Sequence, residues 1–155
     1  HLSLIHFPYL TIATSGGKIP GTLEALAIEA QNTGKSVKGS CKGKIRAPAI
    51  EEVQIGSFPL PKLHFQEARF AAKIEQQRLT ISSFSLESSG TYLRLSGSMP
   101  LQAQTEMQMK LEMMPKPAFI KEQATVFMLL SPFQQVPGHY TIPIAGTPAA
   151  PRIEQ

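Results

Sequence analysis

Residues 106–113 read EMQMKLEM. Met107, Met109, Leu111 and Met113 fall on one side of an extended chain, and Glu106, Gln108, Lys110 and Glu112 on the other. Strict alternation of this kind predicts a half-buried strand. Upstream, TYLRLSGSMPL at 91–101 repeats the pattern, with Leu93, Leu95, Gly97, Met99 and Leu101 on one face. Gly97 thins that face at a point suited to a bend or bulge. Further back, SVKGSCKGKI at 36–45 sets Val37, Gly39, Cys41, Gly43 and Ile45 against Lys38, Lys42 and Lys44. Small residues there allow the strand to curve or another backbone to come close.

Two central segments change phase. LHFQEARFAAKIE at 63–75 begins with Leu63 and Phe65 and continues with Ala68, Phe70, Ala72 and Ile74; RLTISSFSL at 78–86 moves from Leu79 and Ile81 to Phe84 and Leu86. A one-residue slip is the mark of a β-bulge, so two slips predict a paired, strongly twisted hairpin turned by EQQR. KPAFIKEQATVFMLLS is the one convincing helix, placed at 116–131. Pro117 suits its first turn, Phe119, Ile120, Gln123, Ala124, Phe127 and Leu130 keep a 3.6-residue period, and Ser131-Pro132 ends it. TLEALAIEAQ at 22–31 fits a helix or a strand and is read as a strand. HLSLIHFPYLTIA at the start reads as a strand edged by Pro8, and GHYTIPIAG as a last strand whose Pro143 belongs at an edge. The expected fold is mainly β: a curved antiparallel sheet or meander of about eight strands, with the late helix covering part of it.

The totals agree with that class. A chain of 155 residues is the size of one domain, here taken as 1–155. Charged residues make up 17% against roughly 25% in ordinary domains, and the 13 prolines suit a turn-rich β protein. A net charge of +4 lacks the clustering of a nucleic-acid binder, so no nucleic-acid partner is expected. One cysteine, Cys41, rules out an intrachain disulfide and sites built from several thiolates. No run reaches the roughly 20 apolar residues of a spanning helix, and the opening at His1 fits a fragment of a longer protein.

Motifs for chemistry are sparse. His1, His6, His64 and His139 lack metal-ligand spacing and neighbouring carboxylates, and no serine sits in a Gly-x-Ser-x-Gly elbow, so neither catalytic nor metal residues are assigned. GSCKGK at 39–44 has the wrong glycine spacing for a phosphate loop. No cofactor is expected. Lys35, Lys38, Lys42, Lys44 and Arg46 form a basic strip that is either a solvated face or a contact for lipid headgroups. Leu93, Leu95, Met99, Met107, Met109, Leu111 and Met113 form an adaptable apolar face, either core or a groove for acyl chains or a loosely specified partner. IGSFPLPKL at 55–63 has prolines too close for Pro-x-x-Pro recognition, and reads as a corner that stops one ladder and starts the next. GSMPL at 97–101 hints at a similar corner.

The stretch from Ile55 to Leu101 resembles the C-terminal half of the type II secretion system protein N family, in its delta-proteobacterial and spirochaete form. The resemblance rests on the Gly56–Pro61 corner, on Arg78-Leu79 opening the second hairpin strand, on Gly97, and on the closing GHYTIPIAGTPAAPR from Gly138 and Tyr140 through Pro143 and Gly146 to Pro151. It implies a bacterial periplasmic protein, anchored to the inner membrane by an upstream helix and working with a machine that exports folded proteins. The body of that family looks distantly like AsmA-type lipid-transfer proteins. No catalytic motif comes with it. The expected role is therefore a non-enzymatic accessory or scaffold component whose partners are other type II secretion components, the alternative being an AsmA-like module that binds or transfers phospholipid.

Overall fold

A computed structural model describes residues 10–14, 17–32, 37–50, 54–55, 58–59, 63–101, 105–147 and 150–154. His1, His6, Pro8, Lys35, Gly56 and Pro61 lie outside the described residues. Three strands come first: β1 (Leu10–Thr14), β2 (Gly17–Asn32) and β3 (Val37–Arg46). Four two-residue strands follow, β4 (Ala49–Ile50), β5 (Gln54–Ile55), β6 (Phe58–Pro59) and β7 (Leu63–His64). After β8 (Glu67–Glu75), β9 (Arg78–Glu87), β10 (Thr91–Pro100) and β11 (Gln108–Pro115) come the helices α1 (Pro117–Glu122) and α2 (Ala124–Leu130) and a 3-10 turn, Ser131–Phe133. The chain closes with β12 (Gln134–Val136), β13 (His139–Thr147) and β14 (Ala150–Ile153).

Ten strands form one open antiparallel sheet in the order β1-β2-β3-β8-β9-β10-β11-β13, with β12 and β14 both paired to β13. Most neighbours in the sheet are also neighbours in sequence, as short turns between amphipathic strands require. The ambiguous Thr22–Gln31 stretch is strand because its backbone pairs with β3 from Thr22↔Arg46 to Asn32↔Val37. Tertiary pairing overrides its helical spacing. β4 pairs with β7 and β5 with β6, so the described part of the proline corner is a small ribbon, Gln54↔Pro59 and Ile55↔Phe58. The similar GSMPL stretch differs, since Gly97 to Pro100 belong to the main sheet and the Leu101 N–H donates to the Gln77 carbonyl.

The phase slip in β9 is a bulge. Ile81 faces Ala72 on β8 and Gly97 on β10, while Phe84 faces Phe70 and Leu95, leaving Ser82 as the extra residue. By contrast, the slip between Phe65 and Ala68 is not a bulge: the ladder stops after His64 and restarts at Glu67, with the chain bending at Gln66. There the Gln66 carbonyl accepts from Ala47 and the Phe65 N–H donates to Pro48. Pro143 also departs from expectation, because β13 is paired on both sides. Its missing N–H falls between the stretches paired to β12 and to β14, and its carbonyl accepts from Glu154 at 3.0 Å. The expected helix is broken at Gln123 (φ −113°, ψ 36°).

The β8–β9 hairpin turns through Gln76 (φ 51°) and Gln77 (φ 59°), both left-handed, as a two-residue turn matched to strand twist demands. Glutamine is poorly suited to that region, where Asn-Gly is at ease. Replacing the pair, Gln76→Asn with Gln77→Gly, is expected to raise stability by about 1 kcal/mol, read as a higher urea midpoint with unchanged slope. A second local conflict is the Thr91 hydroxyl, buried without a hydrogen-bond partner in a side chain only 2% exposed. Thr91→Val should therefore stabilise by about 1 kcal/mol in the same assay.

Candidate functional site

Register places the apolar side chains in lanes that cross the sheet. Ile45, Ala68, Leu86, Leu93, Met113 and Tyr140 are neighbours from β3 to β13, and all are buried. This lane is closed by the segment after the corner and by the helices. Leu63, Phe65, Phe127 and Leu130 join the same cluster; the Phe127 ring lies 5.2 Å from that of Tyr140 and 5.8 Å from that of Phe119. α1 and α2 thus cover one end of the apolar face. They do not cover it all.

Beyond the closed lane the face continues as an open field. Phe70, Phe84 and Leu95 form the next lane, Cys41, Ala72, Ile81 and Gly97 the one after it, and Gly39, Ile74, Leu79 and Met99 the last; all are half-buried. Ile28, opposite Cys41 on β2, extends the field and is 38% exposed. The Phe70 ring lies over Gly43, where a Cβ would collide with it, and stacks at 27° on Phe84, 6.4 Å between centroids. Glycines and alanines on β3 and β8 thus make the floor, and larger aliphatic side chains on β9 and β10 stand beside it.

Set against this division, the residues singled out from sequence separate. Leu93, Met107, Met109, Leu111 and Met113 are 0–7% exposed and belong to the packed core, with Ile142 and Ile144 of β13 alongside. Leu95 and Met99 are half-buried and border the open field. The open field itself is made mainly by β3, β8 and β9, whose residues alternation placed on one face without telling which part a helix would cover. No local signal carries that information, since much of the cover comes from helices that begin about 30 residues after β9 ends.

The opposite face is charged. Lys38 meets Glu75 at 2.8 Å, Lys44 lies between Glu67 (2.7 Å) and Glu24 (3.4 Å), Arg46 pairs with Glu24 and Arg69 with Glu67. The basic strip is therefore threaded with carboxylates from β2 and β8, and Lys42 alone of its described members has no carboxylate partner among the described residues. Hydrogen bonds from Lys44 and Arg69 hold Glu67 below the usual carboxylate range, Lys38 does the same to Glu75, and Glu67 and Glu24 push the Lys44 ammonium up. A carboxylate lowered on folding stabilises above its unfolded pKa and loses that contribution as pH falls through the lowered value. Stability should accordingly decline below about pH 4.3, less steeply in Glu67→Gln than in the parent, and the difference should shrink at high salt because these groups are exposed. Thermal unfolding across pH 2–6 at two ionic strengths checks it.

Histidines are scattered here too. His64 is exposed and lines a cleft of about 320 Å³ with Ser89 and Lys116, while His139 brings its buried Nε2 to 3.7 Å from Glu112 Oε1 on the neighbouring strand. That cross-strand neighbour is invisible to linear spacing. Among the described residues no group of three or more His, Cys, Asp or Glu is placed to hold a metal, and no helix is long and apolar enough to cross a membrane.

No family model, curated protein or solved structure matches this chain. The site's chemistry must be read from its own residues. What they offer is an apolar, half-exposed surface about three lanes wide on a sheet whose other face is solvated by ion pairs. Such a surface can hold a flexible apolar ligand by area.

Proposed function

We propose that this chain is a non-enzymatic binding module of AsmA-like character whose open apolar field takes up the acyl chain of a phospholipid. The observation that carries the reading is the unequal cover of one continuous apolar face: the lane from Ile45 to Tyr140 is closed, whereas Phe70, Ile74, Leu79, Ile81 and Met99 remain half-exposed. Isolated exposed apolar residues are ordinary, but a contiguous field is a mark of an interaction surface. Protein purified without detergent is expected to release phospholipid on organic extraction, and native mass spectrometry should find the added mass on the folded chain. Lipid-free protein in repeated preparations would remove this reading.

A second reading, favoured by the resemblance carried by the Gly56–Pro61 corner, Arg78-Leu79 and Gly97, is that of an accessory or scaffold component of type II secretion in the periplasm. Here the open field would receive a protein segment. Affinity capture from cells that express the secretion machine tests it: recovery of other secretion components supports the role, and their consistent absence counts against it.

A further inference from the structure

Helix α2 is apolar on nearly every side. Its seven residues, ATVFMLL, include one polar side chain, Thr125. Phe127 and Leu130 are buried in the core and Val126 packs against it, whereas Ala124, Thr125, Met128 and Leu129 are exposed. Met128 is 69% exposed and its neighbour Leu129 55%. A single exposed leucine is ordinary, but a helix that is apolar all round belongs in a core or against a membrane. Residues 105 to 147 are all described, so the chain on either side of α2 is in place and leaves these two side chains open.

Charge around the helix indicates what meets it. From Gln123 to Gly138, 16 residues pass without a charged side chain or a histidine. Just before this run stand Lys116 and Lys121, both exposed and in no ion pair among the described residues. Between Pro115 and Gly138 the one carboxylate is Glu122, so the two lysines leave a positive excess. An apolar tip bordered by free cations matches the boundary of a bilayer, where acyl chains lie beneath anionic phosphates. We propose that α2 docks this chain on the surface of an anionic phospholipid bilayer, with Met128 and Leu129 among the upper acyl carbons and Lys116 and Lys121 against headgroup phosphates.

A protein partner fits this surface less well. At 1.5 Å per residue α2 is about 10 Å long, and a stable protein interface takes roughly 800 Å² from each partner. Two exposed side chains on so short a helix fall well below that area. A bilayer sets no such threshold, because shallow insertion of a few apolar groups and attraction of a few cations already give reversible binding. Docking also leaves the fold as it is, since the inner side of α2 keeps its place on the closed lane. The surface goes beyond the lipid-binding reading: it lies on the side of α2 turned away from the sheet, and either can hold without the other.

Co-sedimentation of the full chain with vesicles, with far-UV circular dichroism as the folding control, tests the proposal. Vesicles of phosphatidylcholine with about one-third phosphatidylglycerol are expected to carry the protein down, and pure phosphatidylcholine to bind it more weakly. Met128→Gln and Leu129→Gln, at exposed positions and with helix propensity kept, should each weaken partitioning about tenfold. Lys121→Gln should weaken it about fivefold on the anionic vesicles and leave the neutral ones unaffected. Ile28→Gln, in the open field, should change nothing. A chain that stays in the supernatant at about 1 mM anionic lipid overturns the proposal, as does binding that survives Met128→Gln and Leu129→Gln together. Loss on Ile28→Gln equal to that on Met128→Gln would give the docking to the open field instead, and a dimer in ultracentrifugation that the double variant dissolves would give α2 to a second copy; either result overturns it too.

Discussion

Gly97→Ala is expected to cost about 4 kcal/mol, enough to leave the domain largely unfolded at ambient temperature if its total stability is ordinary. Gly97 has φ +133°, a conformation L side chains rarely adopt, and it sits where β10 passes the bulge in β9. A Cβ there would press on the Gln108 carbonyl oxygen and stand 2.7 Å from the Met109 Cα, both backbone atoms of β11 that cannot rotate away. Strain and overlap therefore add. Urea unfolding of the variant, or its failure to accumulate as folded protein, provides the measurement; a loss below 1 kcal/mol would show that the strand relaxes around the methyl group.

Leu93→Ala should destabilise by about 3 kcal/mol. Leu93 is 1% exposed, pairs in register with Leu86 and Met113, and lies in the lane closed by the helices. Removing it leaves a cavity that Ala68 and Met113, themselves fully buried, have little room to fill. Leu79→Ala, in the open field, should cost only about 1 kcal/mol because solvent or ligand takes the vacated space. The contrast matters more than either number. Equal losses at both positions would mean that the apolar face is packed alike along its whole length.

Sheet faces were legible in the sequence because alternation has a period of two: Met107 to Met113 and Leu93 to Met99 each fall on one side as read. The slip after Ile81 was equally legible, and it is the Ser82 bulge. A slip of the same appearance after Phe65 proved to be a break and a bend, since parity alone cannot distinguish an inserted residue from an interrupted ladder. Pro143 misled for a related reason: proline excludes one hydrogen bond, and a gap between two partners satisfies that as well as a free edge does. Charge was the least legible feature. Lys38, Lys44 and Arg46 look like a free basic strip until β2 and β8 bring Glu24, Glu67 and Glu75 beside them. Those partners are set by strand order, which no local pattern encodes.

The candidate site was half legible for the same reason. Sequence placed apolar residues on one face, but the helix decides which of them are core, and its position follows from Phe119, Phe127 and Leu130 meeting Tyr140 and the closed lane. What remains uncovered, from Ile28 to Met99, is the surface on which the proposed function depends.

Methyl NMR of protein labelled at isoleucine and methionine, titrated with a short-chain phospholipid below its micelle concentration, tests that surface most directly. The account predicts progressive shifts at Ile74, Ile81 and Met99, with the fully buried Met113 and Ile142 unmoved in the packed core. Shifts spread evenly over both groups, or none in either, would contradict it.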